Sequence, residues 1–158
     1  MKIYIGSDHA GYSLKHIIFN YLINNTKYEI NDCGAFNYDS EDNYPEFCIT
    51  TAIKTVTNPG SLGIVLGGSG NGEQIAVNKV LGARCALVWN IETAFLARKH
   101  NNANLISIGG RMHCPDEVLN IVQTFLSAKW LEISRHQRRI DAISLYEKNQ
   151  ILSFKKFS

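Results

Sequence analysis

The chain has 158 residues, 45% of them hydrophobic and 19% charged, which places it with single-domain globular proteins and excludes the disordered and fibrous classes. Lys and Arg number 16 against 14 Asp and Glu, and a formal charge of +2 gives no general reason to bind nucleic acid or an anionic membrane, so any anion site is local. The opening apolar run, Met1 to Ile5, is too short for a signal peptide or a membrane span, which predicts a cytoplasmic protein.

In chain order, apolar runs of strand length alternate with helix-period segments, with no repeat or linker to divide residues 1–158 into more than one domain. The first strand is predicted over residues 2–7, followed by the polar turn Asp8-His9-Ala10-Gly11. Leu14, Ile17, Ile18 and Leu22 then mark a helix by their spacing of three and four. A second strand is predicted over residues 28–33, a short helix over 45–56 and a third strand over 62–67, running into Gly67-Gly68-Ser69-Gly70-Asn71-Gly72-Glu73. Residues 72–79 read as a helix, 83–89 as a strand and 91–99 as a helix that closes on His100-Asn101-Asn102-Ala103-Asn104. The fifth strand, 105–109, leads into Gly109-Gly110-Arg111. Val118, Val122, Phe125 and Leu126 mark the next helix, and a C-terminal helix over 131–148 turns Ile133, Ile140 and Ile143 toward the body. Continuous apolar strands are buried on both faces, so the expected architecture is a Rossmann-like three-layer α/β/α sandwich with a five-stranded parallel sheet.

Ligands of such sheets bind beyond the carboxyl ends of the strands, where this chain is unusually polar. Four of the six residues 67–72 are glycine, which lets backbone N–H groups turn toward an oxyanion; a plain flexible turn needs fewer. The run is not a dinucleotide fingerprint, because Glu73 or Ile75 stands where the third Gly belongs, and no Gly-Lys-Ser/Thr follows for a P-loop. Glu73 falls in the first turn of the next helix, a common place for a merely structural acid. Beside an oxyanion hole it is also what proton transfer between adjacent carbons through an enediolate requires. Arg135 and Arg139 lie one helical turn apart and can clamp one phosphate with their planar forks, or form a solvated basic face. His100 is expected at the opposite edge of the sheet from Glu73. It is either a helix-end cation or a catalytic group that reaches the crevice of another subunit. Cys33, Cys48, Cys85 and Cys114 form no CxxC pair, so they are read as free, mostly buried thiols and no metal site is expected.

Together these residues resemble the ribose-5-phosphate isomerase B family, which includes galactose-6-phosphate isomerase subunits. The resemblance runs in order through Gly6 to Gly11, Asp32-Cys33-Gly34, Tyr44-Pro45, Gly67 to Lys79, His100 to Asn104, Gly109-Gly110-Arg111 and Arg135 to Arg139, and covers about residues 1 to 145. It implies interconversion of D-ribose 5-phosphate and D-ribulose 5-phosphate in the pentose phosphate pathway. The alternatives are a galactose or allose 6-phosphate isomerase, or a non-catalytic sugar-phosphate-binding subunit. It further implies that Asp8, His9 and Asn101 contact the sugar, that Gly68, Ser69, Gly70, Asn71 and Gly72 form the anion hole, and that Arg111, Arg135 and Arg139 hold the phosphate. His100 assists ring opening, no cofactor is used, and the active sites are shared across a homodimer. Many family members carry a catalytic Cys where this chain has Gly67, so the resemblance is to the variant whose base is the glutamate after the loop, Glu73.

Overall fold

The three most apolar runs form the middle of the sheet. The computed structural model describes residues 1–150, and β1 (Lys2–Ser7), β3 (Leu62–Gly67) and β5 (Leu105–Gly109) start and stop at the expected residues. Helices cover both faces of these strands, and nearly every side chain in them is buried. β2 is shorter than expected, Glu29–Asp32, as is β4, Cys85–Leu87. Both are edge strands with one neighbour each, so pairing stops where the single ladder stops.

All pairings are parallel and the strand order is β2-β1-β3-β5-β4. The period of two along β3 divides the core. Ile64 and Leu66 face Leu14, Ile18 and Leu22 of α1 (Tyr12–Asn25) and Val118, Val122 and Phe125 of α5 (Pro115–Ser127). Val65 faces Cys48 and Ala52 of α2 (Tyr44–Val56) and Ala76 and Val77 of α3 (Asn71–Val77). Ile17, expected on the buried stripe of α1, is 40% exposed, and the fully buried Lys15 lies on that stripe instead. Cys33, Cys48 and Cys85 are buried free thiols, and Cys114 is free and exposed.

α4 (Ile91–Asn101) begins with a reciprocal Asn90/Thr93 capping box and ends on Asn102 in the left-handed conformation. α6 (Ser134–Asn149) packs against α4. Of its predicted inward residues only Ile140 is buried. Ile133 at the N-cap is 42% exposed and Ile143 is 60% exposed, because α6 lies on one neighbouring helix rather than across the sheet. The expected placement of His100 at the opposite edge of the sheet does not hold. His100 is not at the far edge from Glu73, since β5, which follows it, is the immediate neighbour of β3. The separation runs along the strands: α4 starts beyond the carboxyl end of β4 and returns, so that His100 stands near the amino ends, with Asn101 accepting a bond from Arg84 just before β4.

Candidate active site

The chain direction reverses around β1 and β3: β2 lies on one side of β1 and every later strand on the other. That switch point is where the turns after two neighbouring strands diverge and leave a crevice. The residues there are those of the first and third polar turns. Asp8 is buried, and its Oδ1 accepts the N–H of Gly11 at 3.1 Å. Gly70, with φ of +81°, adopts a backbone conformation that L side chains rarely tolerate. Its carbonyl accepts the buried Ser107 hydroxyl at 2.7 Å and the N–H of Gln74 at 3.0 Å, which pins the loop to β5 and α3. Among the described residues the N–H groups of Ser69 and Gly72 have no backbone acceptor, and Asn71 N–H donates to Ser69 Oγ at 3.3 Å. Arg111 lies over this loop, its Nη1 about one contact distance from the position a Cβ on Gly68 would take, 3.5 Å.

Glu73 is 4% exposed. Burial is the main cause that lifts its pKa above the ordinary carboxylate value, with the charge of Asp8 adding to it; backbone N–H groups of Glu73 and Gly70 act the other way. Its carboxylate lies directly against Gly67, where a Cβ would come 1.7 Å from Oε1. The absence of a side chain at 67 is therefore what gives the carboxylate its place, and a thiol on residue 67 would occupy the same space. If Glu73 is a catalytic base, Gly67→Ala should cost about 10² in turnover, since a base misplaced by an ångström loses that order of rate. Unaltered kcat in that variant would show that the carboxylate does no chemistry there. Burial raises the pKa of Cys33, Cys48 and Cys85 alike, which disfavours the thiolate that a base or nucleophile needs.

The remaining predicted residues form a second group near the other end of the strands. The His100 ring stacks on His136 of α6, with centroids 4.5 Å apart and planes at 15°, and Trp130 meets His136 edge-on. His136 is buried, and burial, then His100, Arg135 and Arg139, push its pKa down, so it is a neutral support for the His100 ring. Asn101, Arg135 and Arg139 are exposed around the stack. The turn after His100 is rigid. Arg84 donates to the carbonyls of Asn101 and Asn102, Arg98 donates to Asn102 Oδ1 and the Ala103 carbonyl, and Asn104 ties both its amide groups to the turn before β4. The structure thus gathers Asp8, His9, the glycine loop, Glu73 and Arg111 in one crevice. It places His100, Asn101, Arg135 and Arg139 elsewhere on the same chain.

A family model described as Ribose/Galactose Isomerase matches residues 3–143. The chain belongs to that family. Ribose-5-phosphate isomerase B of Mycobacterium leprae is 62% identical over 148 residues, covering 94% of this chain and 91% of the relative. The Mycobacterium tuberculosis protein of the same name, from strain H37Rv, is 60% identical with the same coverage. Among solved structures, ribose-5-phosphate isomerase B of Mycoplasma genitalium with bound ribulose-5-phosphate aligns with a TM-score of 0.89 at 42% identity, over 94% of this chain and 97% of that one.

Two features of this ribose/galactose isomerase chain escaped the sequence reading. Lys15 is fully buried, donating to Asp32 at 2.6 and 2.7 Å and to the Ala35 carbonyl at 2.8 Å, which anchors the turn after β2 beside β1. Its position on the apolar stripe of α1 was a signal that a lysine there needs a partner. Asp42, in the loop between β2 and α2, bonds the Nδ1 of His9 at 2.7 Å. With Asp8 these two form the single group, among the described residues, whose metal-type ligand atoms lie within 4.8 Å of one another. Nδ1 bonds the Asp42 carboxylate, which leaves Nε2 as the ring nitrogen open to another partner.

Proposed function

We propose that the chain interconverts D-ribose 5-phosphate and D-ribulose 5-phosphate, with Glu73 as the base and with His100, Asn101, Arg135 and Arg139 supplied by a second copy. The observation that carries this reading is the seat of Glu73, a buried carboxylate of raised pKa held against Gly67 beside loop N–H groups, in a chain of the ribose/galactose isomerase family. Glu73 takes the C2 proton of the open-chain aldose as charge builds on O1 before the loop donors, then returns it to C1. The O2 proton leaves and O1 gains one, so the net change is an aldose become a ketose. His100, backed by neutral His136, is suited to exchanging the proton that opens the furanose ring.

Support for the second copy is geometric. The two groups of residues stand toward opposite ends of strands that run about 3.3 Å per residue, beyond proton-transfer reach on one sugar. α6 also keeps Ile143, Leu145 and Tyr146 at 60%, 46% and 42% exposure, an apolar surface suited to a homodimer partner. No helix among the described residues is long and apolar enough to cross a membrane, and a cytoplasmic enzyme acting on a small sugar phosphate fits that.

Direct assay of ribose 5-phosphate conversion, beside allose 6-phosphate and galactose 6-phosphate, tests the reading. Preferential pentose turnover is expected, and faster hexose turnover would overturn the substrate assignment. Base and charge stabilisation both come from the chain, so enzyme that has been chelated and dialysed should keep its rate; restoration of a lost rate by one divalent metal would contradict this. Arg139→Ala should raise KM about tenfold or more, by loss of a charge-assisted phosphate contact, with no effect on nucleic-acid affinity. An unchanged KM would return α6 to a plain solvated face.

A further inference from the structure

The loop between β2 and α2 folds back over the carboxyl end of β1, and one acid in it makes two bonds to one residue. Asp42 Oδ1 accepts the His9 backbone N–H at 3.1 Å and bonds the His9 ring at Nδ1 at 2.7 Å. A single oxygen holding both the main chain and the ring of His9 sets the ring's direction as well as its place. The Asp42 side chain is 8% exposed although its loop is at the surface, and its Oδ2 is buried without a partner among the described residues. An acid that serves only to close a loop has no reason to give up water in this way. Tyr38 meets the ring edge-on, with centroids 6.3 Å apart. With Nδ1 committed inward, Nε2 is the ring nitrogen left to meet a ligand, and the His9 side chain is 23% exposed.

We propose that Asp42 is a positioning residue for substrate binding, turning the His9 ring so that Nε2–H is offered to an oxygen of the sugar phosphate beside Arg111. This rests on the sugar-phosphate reading given above. The charges that face His9 are Asp42 and Asp8, which favour the imidazolium, and Arg111, which opposes it. The Asp42 bond is the largest influence and raises the His9 pKa; burial opposes it. Both ring nitrogens of an imidazolium are donors, so the carboxylate that orients the ring also keeps Nε2 a donor. A group with a raised pKa stays charged to higher pH. Binding through it holds below that pKa and is lost as pH rises through it.

Asp42→Asn keeps the shape and an acceptor oxygen but removes the charge. NMR titration of the His9 ring in ligand-free protein should show the wild-type residue titrating above the ordinary value of about 6.5 and the variant at lower pH. KM for ribose 5-phosphate should rise about 10- to 100-fold at a pH between the two measured His9 titration points, with kcat little changed, the scale of one charge-assisted bond. The pH at which KM climbs should fall with the His9 titration. Asp42→Glu should restore part of both effects. On a His9→Asn background the same substitution should leave KM unmoved, because Asp42 acts only through His9. An unchanged His9 titration, a loss confined to kcat, or a full effect of Asp42→Asn without His9 would each overturn the proposal. If Asp42→Asn fails to fold, Asp42→Glu and the His9→Asn pair decide it by the same readouts. The titration needs no substrate, so a wild type that proved inactive on ribose 5-phosphate would refute the function and leave this pair's chemistry measurable.

Discussion

Glu73→Gln is expected to lose about 10² to 10⁴ of the turnover of ribose 5-phosphate, the usual scale for removing a general base, and to melt at a higher temperature than wild type at neutral pH. Both effects have one cause. The carboxylate is 4% exposed and its pKa is raised mainly by burial, so ionising it costs more in the folded protein than in the unfolded chain. A carboxyl whose folded pKa exceeds its unfolded value, about 4.3 for Glu, contributes most to stability when protonated, below that unfolded value. The contribution is lost as pH rises through the folded pKa. Gln removes the ionisation while keeping the shape, so the stability difference should shrink toward zero as the pH is lowered past about 4. The same raised pKa moves the acid limb of the kcat/KM profile up from the ordinary carboxylate value, with activity falling as the pH drops through it. Cys48→Ala, at the buried thiol whose pKa the nearby Glu73 charge helps burial to raise, should keep its turnover. Near-normal kcat in Glu73→Gln together with loss in Cys48→Ala would demote Glu73 to a helix-end acid.

What the sequence made legible follows the physics of each element. Central strands read correctly to the residue because burial on both faces leaves a continuous apolar run that ends where the polar turns begin. β2 and β4 read too long because an edge strand ends where its single partner ladder ends, which composition does not record. The glycine loop and Glu73 were legible because four glycines before a carboxylate are costly without a use. The exact seat of Glu73 against Gly67 was not, since it depends on a contact between a side chain and a vacancy six residues earlier. The edge placement of His100 failed because strand order is a long-range property: the chain crosses from β4 back to a position beside β3, and no local pattern announces it. Asp42 was hidden for the related reason that burial of a loop acid is decided by what the loop folds onto, 33 residues away in this case.

We propose that one active site is assembled from two copies, the crevice of one chain and the His100 end of another. Mixing Glu73→Gln and His100→Ala proteins, each inactive alone, under conditions where subunits exchange tests it most directly. In a mixed dimer one composite site has both residues intact and the other lacks both. About half the dimers are mixed after random exchange, and each has one good site of two, so about a quarter of wild-type activity should return. Exchange confirmed independently, with no return of activity, would mean that Glu73 and His100 act within one chain and that the separation of the two groups along the sheet is not the arrangement in which the enzyme works.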